Sequence, residues 1–162
     1  MRKLLLTAAA AVAVFAAMPT MGAQAATKVE SVIGAGTLDQ FGTPTAYLAA
    51  VGNQRGQLGA FTITYPDGTY ATGLSNCLMV DGKTAYLTGK ITLSGGPRRE
   101  TNSWQRGNYL VIGVQDNGDG TAVAEELNFS TGTATDPGCG PKANAIPVFF
   151  IVKGNYRVTD AG

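Results

Sequence analysis

From Thr84 to Ser94 the side chains alternate without a break. Ala85, Leu87, Gly89, Ile91 and Leu93 share one parity, and Thr84, Tyr86, Thr88, Lys90 and Thr92 share the other. A period of two belongs to extended chain, whose successive side chains point to opposite faces, so this run predicts a strand with one apolar and one wet face. The pattern returns in Gly107–Gln115, with Leu110, Ile112 and Val114 on the apolar side, and in Ala60–Tyr65, with Phe61, Ile63 and Tyr65. No helical period follows residue 25. The abundant Gly and Thr suit turns and strands rather than helix interiors.

Turn chemistry separates these runs. Pro66-Asp67-Gly68, Asp81-Gly82 and Asn117-Gly118-Asp119-Gly120 each fall between two strand patterns, where Gly and Asn accept positive φ. Glu30–Leu38, Thr45–Val51, Leu78–Val80 and Thr121–Ser130 read as further strands. Val148–Val158 opens with five apolar residues in a row, which predicts a strand that is central or covered on both faces, with Pro147 at its start. The expectation is an all-β domain of about eight antiparallel strands, a small β-barrel or sandwich with the barrel preferred.

The first 25 residues stand apart. Arg2 and Lys3 precede the uncharged apolar run Leu4–Ala17, Pro19 and Gly22 break it, and Ala23-Gln24-Ala25 has the small-x-small pattern of a cleavage site before Ala26. The run is too short and too rich in Ala for a transmembrane span. Residues 1–25 are therefore expected to be a signal peptide, and residues 26–162 a single secreted, extracellular β domain. Removing Arg2 and Lys3 from the 12 basic residues leaves 10 against 11 acidic ones. A near-neutral domain has no global electrostatic reason to bind nucleic acid. An oxidising destination and the even pair Cys77 and Cys139 predict one disulfide. Closing so long a loop would lower unfolded-state entropy by roughly 4 kcal/mol.

The chain has no His. That removes the usual general base, the Ser–His and Cys–His nucleophile pairs and His-ligated metal sites. Glu125 and Glu126 are adjacent in a predicted strand and so point to opposite faces. Glu125 shares its parity with Val123, Leu127 and Phe129 and is either a pocket carboxylate or a strand-end residue that reaches water. Asp116 and Asp119 form a candidate calcium site, but the EF-hand template fails because its third and fifth positions are Gly118 and Gly120, and a hairpin turn accounts for the same residues. Gly34-Ala35-Gly36 lacks the helix a phosphate-binding fingerprint requires, so no cofactor is expected. Asn128-Phe129-Ser130 matches a glycosylation sequon.

The segment Gly95–Arg106 is the best candidate for binding, because it combines the only Trp, Trp104, with Arg98, Arg99 and Arg106. Loops carry function, and Trp and Arg are enriched where binding energy concentrates. The competing reading packs Trp104 over the end of the core and leaves the arginines in water.

Several runs, taken in order, resemble a secreted actinobacterial β-domain of the post-COAP type: Gly34–Leu38, Gly59–Ile63, Cys77–Gly82 leading into Ala85–Gly89, and Val114–Gly118 followed by a second Cys. The resemblance implies export, an all-β domain and a Cys77–Cys139 bond, and it brings no catalytic residues. This chain departs from it in standing alone and in continuing through Val148–Val158. Together these readings favour a non-catalytic extracellular binding or interaction module, with an envelope polysaccharide or a secreted protein as its partner. The alternatives are a His-independent carboxylate enzyme with a barrel pocket holding Glu125 or Asp116, and an inhibitor that inserts Gly95–Arg106 or Thr131–Asn144 into another secreted protein.

Overall fold

The computed structural model describes residues 29–39, 42–53, 56–118, 126–138, 140 and 145–161. The expected signal peptide, Asp119, Glu125 and Cys139 lie outside the described residues. Eight strands follow in order: β1 (Glu30–Leu38), β2 (Thr45–Asn53), β3 (Gly56–Thr64), β4 (Tyr70–Asp81), β5 (Thr84–Gly95), β6 (Tyr109–Gln115), β7 (Glu126–Phe129) and β8 (Phe149–Thr159). Each pairs antiparallel with its neighbour in sequence, and β8 closes onto β1, so the sheet is an up-and-down barrel. Closure leaves no sheet edge.

The turns follow local chemistry. Asp81 pairs with Thr84 across Gly82-Lys83, and Gly82 takes φ 58°, a conformation that would strain a side chain with a Cβ. The β3–β4 turn closes through Tyr65 N–H to Thr69 C=O at 2.7 Å.

Alternation then fills the interior. Val32, Leu48, Phe61, Ile63, Leu87, Ile91, Leu110, Ile112, Leu127 and Tyr156 form one buried cluster. Phe61 is seated by two glycines on the next two strands, Gly73 on β4 and Gly89 on β5. A Cβ at Gly73 or Gly89 would lie 2.3 or 2.6 Å from its ring. Tyr156 crosses Gly34 and Gly36, and its hydroxyl donates to Ala46 C=O at 2.7 Å, satisfying a buried polar group inside the barrel. Outward positions include Lys90, Lys153, Asn155 and Arg157. An apolar interior behind a partly charged wall reverses the polarity of a membrane-spanning barrel. Among the described residues, no helix is long and apolar enough to cross a membrane.

Two expectations from the hydrophobic pattern are corrected. Leu93 is 58% exposed instead of sharing the buried face of Ile91. The pairing shifts between Thr72↔Leu93 and Gly73↔Ile91, and this bulge at Thr92 turns Leu93 outward. The β8 strand is not covered on both faces, for Phe150 and Val152 are 48% and 64% exposed. Val152 is the extra residue where the β1–β8 register shifts, between Thr37↔Lys153 and Leu38↔Ile151.

Candidate functional site

The loops β1–β2, β3–β4, β5–β6 and β7–β8 open at one end of the barrel, and the β5–β6 loop closes it. Trp104 is 0% exposed. Its ring packs against Tyr65 and Phe129, each with its centroid 5.8 Å away. Backbone bonds tie the loop into a compact turn: Asn102 N–H to Arg98 C=O at 2.9 Å, and Trp104 N–H to Arg99 C=O at 2.8 Å. The Ser94 hydroxyl donates to Trp104 C=O. Ser103, just before the Trp, has φ 53°, a strained value for a residue with a Cβ. Trp104 Nε1, which is buried, has no hydrogen-bond partner among the described residues.

Packing over the core is therefore the arrangement of Trp104, and it offers no ring face to solvent for a ligand to stack on. Arg98 is also engaged. Its Nε donates to Asp67 Oδ2 at 2.6 Å, its backbone N–H donates to Thr69 Oγ1 at 3.0 Å, and its guanidinium lies 4.9 Å from the Tyr65 ring centre. These contacts fasten the capping loop to the β3–β4 hairpin. The Asp67 carboxyl is held below its ordinary range, chiefly by the Thr69 backbone N–H and further by the Thr69 hydroxyl and Arg98. The Tyr65 phenol is pushed up, foremost by burial, with Arg98 opposing. Of the four residues singled out on this loop, only Arg99 and Arg106 are exposed, and Arg99 lies 3.5 Å from Glu100.

The candidate calcium turn has a structural occupation. Asp116 Oδ1 accepts from Gly118 N–H at 2.8 Å, and Oδ2 accepts from Val158 N–H at 3.0 Å. Its carboxylate thus locks the end of β6 to β8. Among the described residues, no group of three or more acidic or Cys side chains is placed to hold a metal ion. The buried polar side chains among them are Thr69, Thr88 and Ser130, none of them a carboxylate.

The segment after β7 runs outside the wall. Ser130 exchanges bonds with Val111, Tyr109 bridges to Thr133, and Thr88 Oγ1 donates to Gly138 C=O at 2.8 Å. Asn76 Nδ2 donates to Asp136 Oδ2 at 2.7 Å. Beneath this strap Cys77, the register partner of Thr88, is buried, and among the described residues no cysteine is free.

One further surface was not read from the sequence. Register aligns Ile33↔Ala49↔Ala60↔Leu74 across β1–β4, with Val51↔Leu58 on one side of that row and Ala35↔Tyr47↔Thr62↔Thr72 on the other. Ile33, Tyr47, Leu58 and Leu74 are exposed, Leu58 by 74% and Leu74 by 60%. Among the described residues the patch holds no charged side chain. The signal was present in the sequence: between Ser31 and Thr64 the only charges are Asp39 and Arg55. Reading it requires the register that sets these residues side by side. No family model, curated protein or solved structure matches the chain.

Proposed function

We propose that this chain is an exported, non-catalytic interaction module that works through the outer wall of its barrel, with an envelope polysaccharide or another secreted protein as its partner. The observation that carries the reading is the uncharged, apolar outer face of β1–β4 around Ala49 and Ala60. Contiguous exposed apolar surface is costly in water and marks interaction sites. The packed interior and the Trp104 cap support the same view, because they put the accessible chemistry outside the barrel. Export follows from the signal-peptide pattern of residues 1–25, and the resemblance to post-COAP-type secreted domains agrees with it. A Cys77–Cys139 disulfide belongs to this reading. Gly138 is bound to Thr88 on β5, and a Cβ at Gly140 would lie 3.4 Å from Met79 Sδ on β4, the strand that carries Cys77.

Co-sedimentation with insoluble cell-envelope polysaccharide tests the proposal. The chain is expected to pellet with it, Leu58→Lys to stay in the supernatant, and Arg106→Ala to behave as the parent. Loss of binding in Arg106→Ala with Leu58→Lys unaffected would move the working surface to the capping loop.

A further inference from the structure

We infer that the outer face of β1–β4 is where two copies of this chain associate. The inference rests on the reading of that face as the working surface and names its occupant. Charge is the first argument. The row Ile33–Ala49–Ala60–Leu74 ends at Arg157 on the β8 side and at Lys90 on the β5 side, with nothing charged between. A strongly acidic or basic partner would have to bury charges there without counter-charges. A second copy offers the same uncharged face. Curvature of the barrel turns β8 and β5 away from a partner centred on β2 and β3, which leaves both cations in water.

Relief is the second argument. Ala49 and Ala60 face each other across β2 and β3, while Ile33, Tyr47, Val51, Leu58 and Leu74 stand around them. A low centre with a bulky surround lets the large side chains of one copy settle over the alanines of the other, as the facing surfaces of packed sheets interdigitate. A twofold axis through the patch makes each contact occur twice.

Area is the third. The exposed side chains of this face present roughly 600 Å² per copy, so a dimer would bury at most about 1,200 Å² in total, the lower end of specific stable interfaces. Association is then expected with a dissociation constant in the micromolar range. The barrel has no free edge, so the copies meet face to face rather than by adding a strand.

Sedimentation velocity of the secreted form across micromolar to near-millimolar concentration tests this. A concentration-dependent shift from monomer to dimer mass is expected. Leu58→Lys and, more gently, Leu58→Gln and Leu74→Gln should weaken it at least tenfold and leave the far-UV circular dichroism unchanged. A monomer throughout the range overturns the inference, as does a dimer undiminished in all three variants. A monomer that still requires Leu58 to bind envelope polysaccharide overturns the dimer alone. A monomer whose polysaccharide binding ignores all three variants overturns both the dimer and the proposed function.

Discussion

Replacing Trp104 by Ala separates a structural cap from a binding loop. The side chain is fully buried and packs against Tyr65 and Phe129. Truncating a buried aromatic to Ala costs about 3–5 kcal/mol, from lost transfer energy and the cavity left behind. The neighbours can relax little, because Arg98 pins Tyr65 and its hairpin to the same loop. For a domain of this size the loss corresponds to a fall in Tm of roughly 10–15 °C. Trp104→Phe makes a sharper comparison. It keeps an aromatic ring against Tyr65 and Phe129 and removes the Nε1–H, which has no partner among the described residues. A buried unsatisfied donor costs about 1–3 kcal/mol, which offsets part of the lost packing, so Phe should cost less than half of what Ala costs. Urea denaturation followed by far-UV circular dichroism reads both variants, since each removes the only Trp from the chain. If Trp104→Ala unfolds within about 1 kcal/mol of the parent and loses envelope binding, the cap assignment is wrong and the loop is a recognition element.

Other parts of the barrel make equally definite predictions. Gly89→Ala places a methyl 2.6 Å from the Phe61 ring and 2.8 Å from Leu74 C=O, so it should destabilise by about 1–3 kcal/mol in thermal melts, and Phe61→Leu in the same chain should recover part of the loss. The depressed Asp67 carboxyl contributes stability above its ordinary value of 3.8, lost as pH falls through the lower folded-state value, and Asp67→Asn should flatten that acid limb of the melting profile. The raised Tyr65 phenol acts in the opposite window. Its contribution is complete below 10.0 and is lost as pH rises through the folded-state value, so Tyr65→Phe should resist alkaline unfolding better than the parent. Among the described residues β7 meets β8 only through Glu126↔Phe150 and Leu127↔Phe149, whereas β4 and β5 pair along nearly their whole length. Native-state hydrogen exchange should therefore find the Leu127 amide opening at least tenfold faster than Leu87, and equal protection would mean the barrel opens only as a whole.

What the sequence by itself determined is local. Period-two alternation made Thr84–Ser94 a strand because an extended backbone leaves no other way to separate five threonine-side from five apolar positions. Gly82 marked a hairpin because the turn requires positive φ. Glu30–Leu38 was readable as a strand and appears with those limits. Tertiary structure decided everything that depends on which strand lies beside which. The bulge opposite Thr72 reversed the facing of Leu93, and the shift beside Thr37 left Val152 outside, because one unpaired residue changes the parity of all that follow. Trp104 could be read as a platform or a plug until Tyr65 and Phe129 were brought against it. The uncharged face existed in the sequence only as a scarcity of charge between Ser31 and Thr64. It became a surface when β1–β4 paired in register and set Ile33, Ala49, Ala60 and Leu74 in one row, since a patch is a property of neighbours across strands and not of order along the chain.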